Sequence, residues 1–112
     1  MAVTRSSSGS ITASASTTLT LATETTAGVF QLQFTVASVS SSDFFHVWYY
    51  TKPLSGETEQ IAWTGAFGYA YLAGTKSATC PAIPVVDHLK VTIQQPDGVF
   101  GKVINWAIYK IA

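Results

Sequence analysis

Apolar and polar residues alternate along most of the chain, which is the pattern of β-strands with one buried face. The clearest stretch is residues 29–36, in which Phe30, Leu32 and Phe34 point to one side and the intervening polar residues to the other. Shorter alternating stretches lie at residues 10–15, 19–21, 61–63 and 89–94. The pattern predicts an all-β chain and favours a helix at no position.

Two segments, residues 44–50 and 103–111, are apolar or aromatic on both faces. In the first segment, the side chains predicted to fill the core are Phe45, Val47 and Tyr49, and the opposite face carries Phe44, His46, Trp48 and Tyr50. Only one face of a strand can meet the core of a two-layer sandwich. The second apolar face therefore predicts a cover, either the N-terminal segment or another subunit.

Turn-forming residues separate the predicted strands. The prolines and glycines of residues 52–56 and 96–98 indicate turns, and residues 38–43 and 74–84 are predicted to be loops. The expected fold is all-β, an antiparallel β-sandwich of about eight short strands. Jelly-roll and Ig-like Greek-key topologies both fit this spacing, and a small closed barrel is a further alternative.

The chain has 112 residues, a length that fits one domain with a core of its own. Residues 1–9 are polar and lack periodicity, so they are predicted to be an N-terminal arm, with residues 10–112 as the single β-sandwich domain. The first residues lack the apolar segment of a signal peptide, and no run of about 18 apolar residues predicts a membrane helix. We therefore expect a protein that is used without secretion and without a membrane partner.

Charged residues make up only 11% of the chain, against about 25% in typical domains, and they cancel to a net charge of zero. A protein without a basic surface cannot displace counterions from nucleic acid, so nucleic acid is not an expected partner. Ser and Thr supply part of the polar surface. The scarcity of charge also fits a surface that partners cover, because charge is depleted at protein interfaces.

Candidate catalytic groups are few and do not combine. His88 follows Asp87 directly, and adjacent residues of a strand point to opposite faces, so the two cannot easily form an orienting pair. His46 lies in the aromatic segment, and no Gly-x-Ser-x-Gly sequence indicates a nucleophilic serine. The histidines, the cysteine and the carboxylates do not have the spacing of metal ligands. No catalytic, cofactor-binding or metal-binding residue is predicted, and the chain is expected not to be an enzyme.

Three further reactive groups have ordinary explanations. Glu57 and Glu59 are two residues apart and could share a strand face as an acid–base pair, but a turn-to-strand junction favours two solvated charges. Cys80 is the single cysteine, so no internal disulfide can form. It has no basic neighbour along the chain, and we predict a small, buried hydrophobic residue.

The aromatic residues are the more specific signal, and many of the fourteen lie within residues 44–71. Exposed Trp and Tyr side chains anchor protein partners or stack on sugar rings, whereas buried ones fill the core, and the sequence leaves both open. The arm is expected to dock on a neighbouring subunit. The predicted contact residues are Trp48, Tyr50, Trp63, Tyr69 and Tyr71 among the aromatics, with Val3, Thr4 and Arg5 in the arm.

A family resemblance spans most of the chain. The uncharged stretches Ser10-Ile11-Thr12-Ala13 and Leu19-Thr20-Leu21 lead into Val29-Phe30-Gln31-Leu32, and later come Val91-Thr92-Ile93-Gln94-Gln95 and a Trp-containing last strand. This sequence pattern resembles that of the small β-sandwich proteins encoded among the virion genes of tailed bacteriophages. Such proteins are often capsid cement or decoration subunits, and others belong to tails or fibres.

The resemblance implies a non-enzymatic virion protein without cofactors, most simply a capsid decoration subunit that stabilises the particle. It implies assembly in the host cytoplasm, a homo-oligomeric context, and contacts with the major capsid protein or neighbouring copies. The alternative is a carbohydrate- or receptor-binding module of a phage tail or fibre that uses exposed aromatics as stacking platforms. Asn105 is the only Asn in the chain, which counts against sugar binding.

Overall fold

The computed structural model describes residues 3–14, 17–54, 56–73 and 76–111, and at Asp97 the backbone alone. These residues form nine β-strands and one short helix. In chain order the elements are β1 (Thr4–Thr12), β2 (Leu19–Glu24), β3 (Gly28–Val36), β4 (Phe44–Thr51), β5 (Gln60–Gly68), α1 (Tyr69–Leu72), β6 (Ala78–Thr79), β7 (Ile83–Val85), β8 (Leu89–Asp97) and β9 (Val103–Lys110). The prediction of an all-β chain is confirmed.

The strands form two antiparallel sheets that pack face to face as a sandwich. Sheet A has the order β1-β9-β3-β6, with β7 also paired to β3, and sheet B has the order β2-β8-β4-β5. The pairs are nested along the chain, because β1 pairs with β9, β2 with β8, β3 with β6 and β7, and β4 with β5. A single long hairpin folded over itself gives this nesting. Of the two expected topologies, jelly roll and Ig-like Greek key, it is the jelly roll.

The inner faces of both sheets meet in one hydrophobic core. The alternation predicted for β3 and β4 is confirmed, because their inward side chains are at most 3% exposed: Phe30, Leu32, Phe34, Val36, Phe45, Val47 and Tyr49. Phe34 of sheet A packs edge-on against Phe67 of sheet B, with ring centroids 5.3 Å apart. Contacts of this kind join the layers and fix which face of each strand remains outside.

The segment predicted to be an arm takes part in the sandwich. Residues 4–9 form most of strand β1, which pairs with β9 at the edge of sheet A. Ser7 also reaches the other sheet, where its Oγ donates to Oε1 of Glu24 on β2 at 2.9 Å. Sequence periodicity missed this strand because its side chains before Ile11 are hydroxyls, a glycine and an arginine, so the pairing is carried by backbone hydrogen bonds. Residues 1 and 2 lie outside the described residues.

The second difference concerns the region after β5. The predicted loop at residues 74–84 contains part of β7 and all of β6, two short strands on the free edge of β3. The single helical turn α1 precedes them and buries Leu72 completely. Elements of two to four residues are too short to show a period of 2 or 3.6 along the sequence, which is why the alternation gave no sign of them.

One buried carboxylate organises the end of the sandwich where β3 leads to β4. Asp43 is 2% exposed and accepts hydrogen bonds from the backbone N–H groups of Ser40 at 2.8 Å and Val99 at 2.7 Å. The Nζ atom of Lys102 forms an ion pair with the Asp43 carboxylate, at 3.8 Å from the same oxygen that accepts from Ser40. The carboxylate thus links the loop before β4 to the hairpin between β8 and β9.

Candidate interaction surfaces

Four side chains of β4 form a row on the outer face of sheet B, which we call the aromatic row: Phe44, His46, Trp48 and Tyr50. All four are half-buried, although they face away from the core. The ring centroids of Phe44 and His46 are 4.8 Å apart, and those of His46 and Trp48 are 5.3 Å apart, both in edge-to-face geometry. The predicted outward placement of these residues is confirmed, and it brings Trp48 and Tyr50 onto one surface.

Beside Trp48, the neighbouring strands present small, uncharged side chains. Across the sheet, Trp48 is paired with Thr92 of β8 on one side and with Thr64 of β5 on the other. Thr92 is only 3% exposed, and its Oγ1 has no hydrogen-bond partner within the described part of the chain. A hydroxyl buried on an outer face shows that neighbouring side chains shield the middle of this surface from water.

The charged side chains that contact the row in the described part of the chain lie at its Tyr50 end, whereas at the other end Phe44 is paired with Asp97 of β8. The Nζ atom of Lys90 is 4.6 Å from the centroid of the Tyr50 ring, a cation–π contact. Glu59 binds Lys90 at 2.5 Å and Nε2 of His88 at 2.7 Å. These hydrogen bonds, first that of Lys90 and then that of His88, lower the pKa of Glu59. Glu59 is therefore an ion-paired carboxylate, and the charges at this end compensate one another.

The remaining predicted contact residues lie elsewhere. Trp63 faces the core side of edge strand β5, where its ring centroid is 5.2 Å from that of Tyr49. Its indole lies over Gly65, where an added Cβ would overlap the ring. Tyr69 and Tyr71 project from α1 and are 46% and 64% exposed. Trp63 is thus a packing residue of the sandwich, and the two tyrosines belong to a different surface from the aromatic row.

Val3, Thr4 and Arg5, predicted to be contact residues of an arm, lie at the edge of sheet A. All three are exposed. Thr4 is paired with Lys110 and Arg5 with Tyr109 on the neighbouring strand β9. The Cζ atom of Arg5 lies 5.9 Å from the centroid of the Tyr109 ring.

An open cleft of about 360 Å³, which the sequence did not predict, lies on the outer face of sheet A. Its lining comes from β1, β3 and β9 and includes Arg5, Ser8, Gln33, Asn105 and Tyr109. The polar face of β3 was visible as an alternation of Gln and Thr. The partners that complete the cleft were not visible, because the pairing of β1 with β9 joins residues about one chain length apart.

The single thiol of the chain is enclosed. Cys80 is 1% exposed, which agrees with the expected buried hydrophobic residue. Burial raises the pKa of its thiol to about 12, and a hydrogen bond with Tyr49 opposes this increase only in part. Since the thiolate is the reactive form, the thiol has no role as a nucleophile near neutral pH.

Alkylation tests this conclusion. In the folded protein at pH 8, Cys80 is expected to react with a maleimide at least a hundredfold more slowly than the exposed thiol of a Ser41→Cys variant. In denaturant the two thiols should react at similar rates, because unfolding removes the burial that raises the pKa. Rapid modification of Cys80 under native conditions would contradict the buried placement.

Comparison of this chain with protein-family models, curated proteins and solved structures found no match. Within the described ranges, no group of three or more His, Cys, Asp or Glu side chains is placed to hold a metal ion. Among the same residues, no helix is long and apolar enough to cross a membrane. Function is therefore inferred from the aromatic row and the polar cleft, which lie on opposite faces of the sandwich.

Proposed function

We propose that this chain is a non-enzymatic structural protein of a virion, most simply a bacteriophage capsid decoration subunit. In this proposal it stabilises the particle through protein–protein contacts made by the outer face of sheet B. The observation that carries the proposal is the aromatic row, a line of Phe, His, Trp and Tyr on the outer face of a central strand. Aromatic residues are enriched at protein interfaces and carry much of their binding energy.

The position of β1 excludes one of the two groups that could pack on the aromatic row. Two covers were expected, the N-terminal segment or another subunit. Residues 4–12 form the edge of sheet A, on the other layer of the sandwich, so this segment is not over β4. Another subunit, whether a second copy of this chain or the major capsid protein, is the remaining cover.

The charges around the row suit a contact that excludes water. Thr64 and Ala66 of β5 and Thr92 and Gln94 of β8 flank His46 and Trp48, and none of these four side chains is ionised. Burying this central part of the row leaves no unpaired charge, whose desolvation would oppose association. Jelly rolls also occur in viral capsid proteins, which fits the resemblance of the sequence to phage virion proteins.

Replacement of Trp48 by Gln is expected to weaken self-association or particle binding by roughly 30-fold, the effect of losing about 2 kcal/mol at an interface hot spot. The matched control is Leu54→Gln, since Leu54 is 67% exposed and lies in the turn after β4, outside the row. Sedimentation velocity measures self-association, and co-sedimentation with particles assembled without this chain measures decoration. Equal behaviour of the Trp48 variant and the wild type in both assays would contradict the proposed surface.

Virion placement has a separate test. Particles assembled with and without this chain should differ in imaging by additional density on the particle surface, and the particles that lack it should be less stable to heat. Localisation of the protein to a fibre tip, together with glycan binding, would instead favour the second candidate function. That candidate, a carbohydrate- or receptor-binding module of a tail or fibre, is supported by the polar cleft of sheet A.

A further inference from the structure

We propose that the cleft on the outer face of sheet A binds a saccharide that carries a carboxylate. This proposal rests on the second candidate function, carbohydrate binding, and does not depend on the assembly surface, because the cleft lies on the other sheet of the sandwich. It concerns a site formed by three adjacent strands, β1, β9 and β3, in the middle of that sheet.

The shape of the cleft follows from strand register. Ala107 of β9 is paired with Ser8 of β1 on one side and Gln33 of β3 on the other. Along β9, the next residues on the same face are Asn105 and Tyr109. A methyl group is thus surrounded by longer side chains on the same face, which leaves a depression of about 360 Å³, within the size range of small-ligand sites.

The walls of the cleft carry amide and hydroxyl groups that suit sugar hydroxyls. Asn105 accepts a hydrogen bond from Oγ of Ser10 through its Oδ1, so its Nδ2 is left to donate. The Gln33 carboxamide has no side-chain hydrogen bond within the described part of the chain, so it can both donate and accept. Ser8 and Thr35 add hydroxyls to the lining. The single Asn of the chain, whose scarcity counted against sugar binding, therefore lies where a sugar would need it.

The charge of the cleft selects among saccharides. Arg5 is the only ionised residue of the lining, and no carboxylate of the described residues lies within ion-pair distance of it. The contact with the Tyr109 ring at 5.9 Å holds the guanidinium beside the cleft. A guanidinium binds a carboxylate through two parallel hydrogen bonds, so a ligand with one acidic group completes the site.

Other ligand classes fit less well. A single cation does not provide the basic face that a nucleic acid requires. The lining also includes Phe34 and Trp106, but an apolar protein segment would leave the polar groups of Arg5, Gln33 and Asn105 without hydrogen-bond partners from the ligand. A saccharide matches both the dense amide and hydroxyl groups and the aromatic ring of Tyr109 at one end of the cleft.

An array of immobilised oligosaccharides tests the proposal, with each uronic- or sialic-acid glycan placed beside its neutral counterpart. The wild type should bind the acidic members, and Ala107→Leu should lose at least tenfold in binding because the larger side chain fills the depression. The matched control Ala82→Leu, an exposed position between β6 and β7, should bind as the wild type does. Arg5→Gln should lose the preference for acidic glycans while binding to neutral ones persists.

Thermal unfolding of each variant confirms that the fold is intact before binding is compared. Binding to no glycan of the array, or unchanged binding by Ala107→Leu, would overturn the site. Unchanged acidic preference in Arg5→Gln would overturn the assignment of the carboxylate. Loss of particle association in Trp48→Gln leaves each of these results unaffected, so the two proposals fail separately.

Discussion

Replacement of Asp43 by Ala is expected to lower the free energy of unfolding by about 3–5 kcal/mol, the range for removing one partner of a buried, hydrogen-bonded ion pair. The side chain is 2% exposed, and its loss leaves the N–H groups of Ser40 and Val99 without their acceptor. Lys102, which is only 15% exposed at the side chain, also loses its counter-ion. The two N–H groups then bear a desolvation cost, and Lys102 keeps only its hydrogen bonds to the Ser38 carbonyl and the Ser40 hydroxyl.

The surroundings of Asp43 offer little room for rearrangement. Gly98 has a φ of +105°, and an added Cβ there would overlap the Asp43 backbone, so the hairpin loop lies directly against the residue. Equilibrium denaturation in urea measures the effect. Glu57→Ala, which removes an exposed carboxylate, is the control and should change stability by less than about 0.5 kcal/mol. Equal effects of the two substitutions would contradict the role of Asp43 as a buried link.

The strands that the sequence predicted are those in which one face is continuously apolar. In β3 and β4 the inward residues at every second position are all large and apolar, so burial alone determines their orientation. In β1 no such face exists before Ile11, and its place in sheet A depends on backbone pairing with β9 at the other end of the chain. Periodicity is a local signal and carries no information on such a pairing.

The same distinction applies to the surfaces. The outward position of Trp48 and Tyr50 follows from the alternation of β4, so the aromatic row could be predicted from the sequence. The inward position of Trp63 depends on Gly65, whose missing side chain leaves space for the indole, and a local pattern does not show which neighbour uses that space. The cleft around Ala107 depends on register across three strands, which only the folded topology defines.

An interruption in the strand pairing at the edge of β3 explains why Tyr49 is a second position at which substitution should strongly lower stability. Strand β6 pairs with β3 at Gln33 and Phe34, and β7 pairs with it at residues 28–30, so the pairing is interrupted beside Leu32. Pro81 lies in the interruption and has no N–H to offer. The hydroxyl of Tyr49 fills the gap, because it accepts from the Leu32 N–H at 3.0 Å and donates to the Pro81 carbonyl at 3.1 Å.

Replacement of Tyr49 by Ala is therefore expected to cost about 3–5 kcal/mol, since it removes a large buried ring and these two hydrogen bonds. Replacement by Phe keeps the ring and isolates the hydroxyl, at a cost of about 1–3 kcal/mol for the unpaired backbone groups. Burial raises the pKa of Tyr49 above its usual value, so the hydroxyl remains protonated and able to donate through the alkaline range in which the fold can be studied.

Denaturation of the Tyr49 variants gives the free energies, and hydrogen exchange locates the damage. The Leu32 amide should exchange faster in Tyr49→Phe, because it has lost its acceptor, while amides in the middle of sheet B keep their protection. Tyr71→Phe is the matched control. Tyr71 is 64% exposed, so loss of its hydroxyl should leave the free energy of unfolding unchanged. Wild-type exchange at Leu32 in Tyr49→Phe would show that the interruption in β3 pairing is closed by another group, and that the hydroxyl does not join the two sheets.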